Sequence, residues 1–159
     1  MQMKYRYLKV ISITIILSLL IACSSNESTP PNSDELKNIF DKSSNQFEEI
    51  KEMMITDVGF QEVLQIGDNS KNADKISKDR YQKYTSLLKL TGAERVTAYT
   101  RSKINTSVSF LVYRSGIVTG GCLTKILFMT SGRPKKPDWA NPYQLTVLGN
   151  GWYGETKCN

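Results

Sequence analysis

Apolar side chains recur at helical spacing from residue 34 onward. Leu36, Phe40, Phe47, Ile50 and Met54 fall on one face at steps of three, four and seven, with polar Ser43 filling the gap in the stripe. The spacing predicts a helix that opens at Asp34. Ser33 is its cap, and Asp34 and Glu35 suit the positive end of the helix dipole. Gly59 and the run Gly67-Asp68-Asn69-Ser70 punctuate the chain beyond this helix, around a short helical turn at 60–65. A second helix is predicted over Lys78–Thr91. Ser77 caps it, Tyr81, Tyr84, Leu87 and Leu88 form its inner face, and Gly92 ends it.

After Gly92 the period changes from 3.6 to two. Val96, Ala98 and Thr100 alternate with polar partners, and Val108, Phe110 and Val112 alternate with Ser107, Ser109 and Leu111. Ser115-Gly116 turns the chain into Ile117–Val118, and a long strand comes next over 122–130. Asn150-Gly151 favours a turn with positive φ, so the last segment reads as a hairpin. The fold class is therefore α+β: two N-terminal helices packed on one face of an antiparallel sheet of about five strands, without internal repeats.

The N-terminus is of another kind. Residues 1–9 hold Lys4, Arg6 and Lys9 and no acid, and Val10 to Ile21 run apolar apart from Ser12, Thr14 and Ser18. At ~1.5 Å per residue this run covers roughly 18 Å, short of the ~30 Å hydrocarbon core of a bilayer. That length and those flanks are those of a signal peptide, so residues 1–22 are set aside from the fold.

Leu20-Ile21-Ala22-Cys23 resembles the lipobox of bacterial lipoproteins. The resemblance implies diacylglyceryl transfer to the Cys23 sulfur, cleavage after Ala22 and acylation of the new N-terminus. Two or three acyl chains anchor a protein stably where one chain is marginal. Ser24, standing where an Asp would retain the protein in the inner membrane, resembles the type sorted to the periplasmic face of the outer membrane. The alternative is an ordinary signal peptide cleaved nearby, which leaves Cys23 a plain thiol. Residues 23–33 read as the lipidated cysteine and a flexible tether, and 34–159 as a single globular domain.

Composition narrows the chemistry. The chain has no histidine, which removes the commonest general base and the commonest metal ligand together. Its net charge of +6 falls to +3 without the three leader cations, which argues against a nucleic-acid partner. No Cys/His zinc spacing, acidic calcium loop or phosphate-cradling glycine loop occurs, so neither a metal nor a cofactor is expected. The glycines of 116–121 run from strand to strand instead of opening a helix. Ser86 and Lys89 match the S-x-x-K of penicillin-recognising enzymes, but Ser86 falls mid-helix and no K-[ST]-G strand accompanies it. An enzyme is not expected.

Three features remain. With Cys23 lipidated in an oxidising compartment, Cys122 and Cys158 form an even remainder that predicts one disulfide, and with it antiparallel neighbouring strands. The alternative is two separate thiols. Residues 131–142 carry Arg133, Lys135, Lys136 and Trp139 among three prolines. They read as a partner-binding loop with Trp139 as apolar anchor and the cations facing an anionic partner. The alternative is a proline-stiffened crossover with Trp139 folded onto the sheet. Trp152 and Tyr153 come just after the hairpin turn, where core packing or cross-strand pairing outweighs a ligand platform.

The segment 113–129 together with the terminal Gly149-Asn150-Gly151-Trp152-Tyr153 resembles a group of small bacterial proteins, some of them like immunity partners of secreted antibacterial toxins. The resemblance implies a protein partner, reached from a membrane through the N-terminal lipid anchor. The expected function is a lipid-anchored, periplasm-facing binding protein that inhibits an envelope-acting toxin. A structural or assembly accessory of the outer membrane or cell wall is the alternative.

Overall fold

The computed structural model describes residues 29–102, 105–116 and 120–159. The leader, the Leu20–Cys23 box and the Ile117–Val118 segment lie outside the described residues.

Among the described residues three helices and six strands succeed one another: α1 (Ser33–Lys42), α2 (Ser44–Asp57), β1 (Val63–Gly67), α3 (Lys78–Thr91), β2 (Arg95–Ser102), β3 (Asn105–Arg114), β4 (Cys122–Met129), β5 (Tyr143–Gly149) and β6 (Trp152–Cys158). A 3-10 turn at Ala73–Lys75 precedes α3. All strand pairs are antiparallel, and the sheet order is β1-β2-β3-β4-β6-β5.

The predicted first helix divides in two. Ser43 departs from helical geometry (φ −128°, ψ 25°), buries its side chain and donates its hydroxyl to Leu90 O at 3.1 Å. The polar gap in the stripe is thus a break, satisfied by the end of α3. The cap is Asn32, not Ser33. Its side chain accepts from the amides of Asp34 and Glu35, and Glu35 returns a bond to the Asn32 amide. Ser33 instead meets Thr146 and Gln144 of β5 through its hydroxyl.

The helical turn expected at 60–65 is absent. Val63–Gly67 is the sixth strand, at one edge of the sheet beside β2. Five apolar-rich residues between turn signals carry no period that separates strand from helix, and pairing with β2 decides. Helix α3 matches its predicted bounds: Ser77 Oγ accepts from Arg80 N at 3.2 Å, and Gly92 ends it at φ +71°. The β5–β6 turn places Asn150 and Gly151 at φ 51° and 82°.

The helices cover one sheet face. Leu64, Ala98, Val108, Phe128 and Trp152 stand side by side across five strands, and Ile66, Val96, Phe110 and Ile126 form the next row. Against them pack Leu36, Phe40, Phe47, Ile50, Met54, Tyr84 and Leu88. Phe47 meets Phe110 edge-on with centroids 4.9 Å apart, and Trp152 lies 5.1 Å from Phe40 and 5.3 Å from Phe128. Trp152 is therefore core. Its indole N–H donates to Glu48 Oε1 at 2.6 Å, so the tryptophan is buried without leaving a donor unpaired.

Polar contacts join the helices. Asp57 of α2 accepts from Arg80 Nε at 2.7 Å and from the Tyr84 hydroxyl at 2.7 Å. Burial pushes the Tyr84 phenol well above its usual range, with Asp57 adding to the shift.

Candidate functional site

None of the described helices lies on the opposite sheet face. The register places Arg95, Leu111, Lys125, Glu155 and Leu145 in one row across β2, β3, β4, β6 and β5. The neighbouring row holds Thr97, Ser109, Leu127, Tyr153 and Val147. Segment 131–142 connects β4 to β5 and passes over this face. The Tyr153 hydroxyl donates to Gly132 O at 3.2 Å and holds its start. Asn141 N donates to Cys158 O at 2.8 Å and holds its end.

Cys122 and Cys158 form a disulfide between directly opposed positions of β4 and β6, with Cα atoms 4.1 Å apart. Cys158 exchanges its backbone bonds with the β5 side, and Cys122 with Ser115, so the pair is a non-hydrogen-bonded one, the closer of the two antiparallel spacings. The predicted neighbouring, antiparallel strands are present. The bridge ties the terminal strand to the sheet just where the loop rejoins it.

Arg133, Lys135 and Lys136 are exposed, and among the described residues no carboxylate pairs with them. Trp139 is 57% exposed and borders a shallow recess of about 210 Å³ with Leu123, Lys157 and Asn159. A second recess of about 220 Å³ lies beside it, with Ser107, Ser109, Leu127 and Met129 forming the sheet side and Pro134 and Lys135 the loop side. The structure thus brings Lys135 and Trp139 to the sheet face while leaving both solvent-accessible.

Sequence reasoning missed the charged row beneath the loop. Glu155 is buried, pairs with Lys157 at 2.9 Å and accepts from the Tyr143 hydroxyl at 3.2 Å. Burial, reinforced by Glu155, pushes the Tyr143 phenol up to about 12. Lys125 stands opposite Glu155 but makes no ion pair among the described residues. Burial lowers its pKa first, and Lys157 and Arg95 lower it further against the opposing pull of Glu155. The sequence signals were a lone Lys125 inside an otherwise uncharged strand and Glu155 and Lys157 two positions apart in another; register was needed to bring those charges together.

Charge divides between the two halves of the fold. Residues 95–159 hold nine Lys and Arg against Asp138 and Glu155 alone, whereas 33–94 hold nine against twelve acids. The sheet half is cationic and the helical half mildly acidic, a contrast hidden in the net charge. Such a face attracts anionic partners and steers their approach. Among the described residues no three Cys, Asp or Glu side chains converge as metal ligands. Ser86 and Lys89 are both exposed on the body of α3.

No family model, no curated protein and no solved structure matches this chain.

Proposed function

We propose that the protein is a lipid-anchored binding protein, tethered through Cys23 to the periplasmic face of the outer membrane, where it inhibits a secreted toxin acting in the envelope. One observation carries the binding part of this reading. A loop whose end bonds the backbone of disulfide-linked Cys158 brings an exposed Trp139 and Lys135 to the sheet face that none of the described helices covers. Arg133 and Lys136 are exposed beside them, and no carboxylate is paired to any of these cations among the described residues. Tryptophan and arginine are among the residues that protein interfaces concentrate, here Trp139 and Arg133, while the two lysines add long-range attraction for an anionic partner. The anchor is inferred from the Cys23 box, and a tether of about ten residues gives the domain lateral reach above the membrane.

The test is photo-crosslinking in cells from a reactive side chain installed at Trp139, with exposed Lys83 on α3 as the control position. A discrete protein adduct from 139 alone supports the reading, and a secreted toxin as its partner supports inhibition. A cell-wall or outer-membrane assembly component as partner shifts the function to an accessory role. Equal adducts from both positions, or none, rejects the site. Cys23→Ala should release the protein from membranes with its unfolding midpoint unchanged; retention of the variant rejects the anchor.

A further inference from the structure

The two edges of the sheet are finished differently. At β1 the outward backbone is occupied: Gln65 and Lys71 exchange two backbone bonds at 3.0 Å, and Asn72 Nδ2 donates to Val63 O at 2.7 Å. At β5 it is not. Cys158 N donates to Pro142 O at 3.0 Å, which sets the phase of the β5–β6 ladder. Gln144 and Thr146 therefore turn their N–H and C=O groups toward β6. Those of Tyr143, Leu145 and Val147 point away from the sheet, and no described group bonds them.

Among the described residues this edge carries few protective devices. Natural sheets blunt a free strand with lysine, proline, a bulge or a covering element. The strand Tyr143–Gly149 has no charge and no proline, and its one register shift comes late, between Val147 and Gly149. Helix α1 lies on the core side and leaves Val147 71% exposed on the other. The residues that offer free backbone are also the ones whose side chains lie on the helix-free, cationic face.

We infer that β5 is a docking edge for an extended acidic segment of a partner protein, which joins the sheet beside β5 and is drawn there by the cationic face over which Arg133 and Lys135 extend. The inference rests on the protein-binding reading and names its mode and chemistry. A peptide backbone supplies alternating donors and acceptors at the spacing that Tyr143, Leu145 and Val147 present, which a lipid headgroup or a polyanion does not. Charge selects among such segments: the sheet half has seven more cations than acids, and Arg133 stands close enough to Tyr143 to act on its phenol.

The experiment uses the full chain in detergent micelles and three probes: an octapeptide alternating Glu and Val, its counterpart with Lys for Glu, and phosphatidylglycerol vesicles. Amide exchange reports the site. The acidic peptide should bind at least about tenfold more tightly than the basic one and protect the amides of Leu145 and Val147. Leu145→Pro, which removes only an outward N–H, should abolish binding. Because that variant risks the fold, Arg133→Glu with Lys135→Glu provides the second arm and should reverse the peptide preference while leaving the unfolding midpoint in place.

Absence of saturable binding up to about 1 mM, equal affinity for both peptides, or protection confined to other strands overturns the inference. So does vesicle binding without peptide binding, and so does protection of Leu145 and Val147 by self-association before peptide is added. A discrete protein adduct from position 139 together with failure of the acidic peptide overturns strand addition alone. Failure of both overturns the protein-binding reading with it.

Discussion

Leu36 of α1 lies directly over Gly154 of β6: a Cβ at Gly154 would stand 3.0 Å from Leu36 Cδ1 and 3.4 Å from Leu36 Cβ. Both residues are buried. The missing side chain lets the first helix settle onto the β5–β6 hairpin. Gly154→Val should therefore destabilise the protein by about 1–3 kcal/mol through overpacking. Leu36→Ala added to Gly154→Val should cost less than the sum of the two single changes, because the truncation relieves the crowding at 154 and the new valine fills the space the leucine leaves. Urea unfolding of the four proteins in this cycle checks it; strict additivity would show that the contact is not tight.

The Cys122–Cys158 bridge spans 36 positions. In the chain-entropy account, closing a loop of that size stabilises by about 3–4 kcal/mol. The double change Cys122→Ser with Cys158→Ser should lower the unfolding midpoint accordingly, and reductant should shift only the wild type. Equal midpoints with and without reductant would mean that the bridge is not formed in the protein under test.

Lys125 is a half-buried cation with two cations near it and its facing carboxylate bound elsewhere. Lys125→Met keeps the apolar stem and removes the desolvated charge, so it should stabilise by about 1 kcal/mol at neutral pH. The lowered pKa sets the sign of the pH dependence. Below that pKa the folded chain holds a proton it binds weakly, and the penalty fades as pH climbs toward 10.5. The advantage of Lys125→Met should accordingly shrink in alkaline solution.

Tyr143 runs the other way. Its folded pKa is raised from 10.0 to about 12, so between those values the unfolded chain has released a proton that the folded chain keeps. Stability falls as pH rises through this window, and Tyr84 contributes in the same direction. Tyr143→Phe should show a shallower loss above pH 10 than wild type. Chemical denaturation at a series of alkaline pH values measures the slopes.

Removing the acceptor for the Trp152 indole leaves a buried N–H unpaired, because Trp152 is 1% exposed and bonds Glu48. Glu48→Ala should cost about 1–3 kcal/mol by that route. Glu48→Gln, which keeps an acceptor oxygen, should cost clearly less. Thermal unfolding monitored by circular dichroism separates them.

Much of the fold was legible from local pattern. The stripe Leu36–Met54 and the inner face around Tyr84 and Leu88 have helical period, and Ser77 and Gly92 bound α3 as capping chemistry requires. The alternation in β2 and β3 and the Asn150-Gly151 turn are likewise local. Ser43 and Val63–Gly67 depart from their local reading because their state depends on partners. The first breaks a helix to reach Leu90, and the second becomes a strand by pairing with β2.

The candidate site divides along the same line. Sequence alone determined that Cys122 and Cys158 would be left as each other's candidate partners, that loop 131–142 would carry three cations and a tryptophan, and that no histidine chemistry is available. These depend on composition, count and local spacing. The structure then formed the bridge and left Trp139 exposed. Only the tertiary structure decided that Lys125, Glu155 and Lys157 share one face, that the described helices all lie on the other, and that β5 ends the sheet with no described strand beside it. Strand register and strand order are set by contacts between distant segments. A shift of one residue would send the same charges into the core.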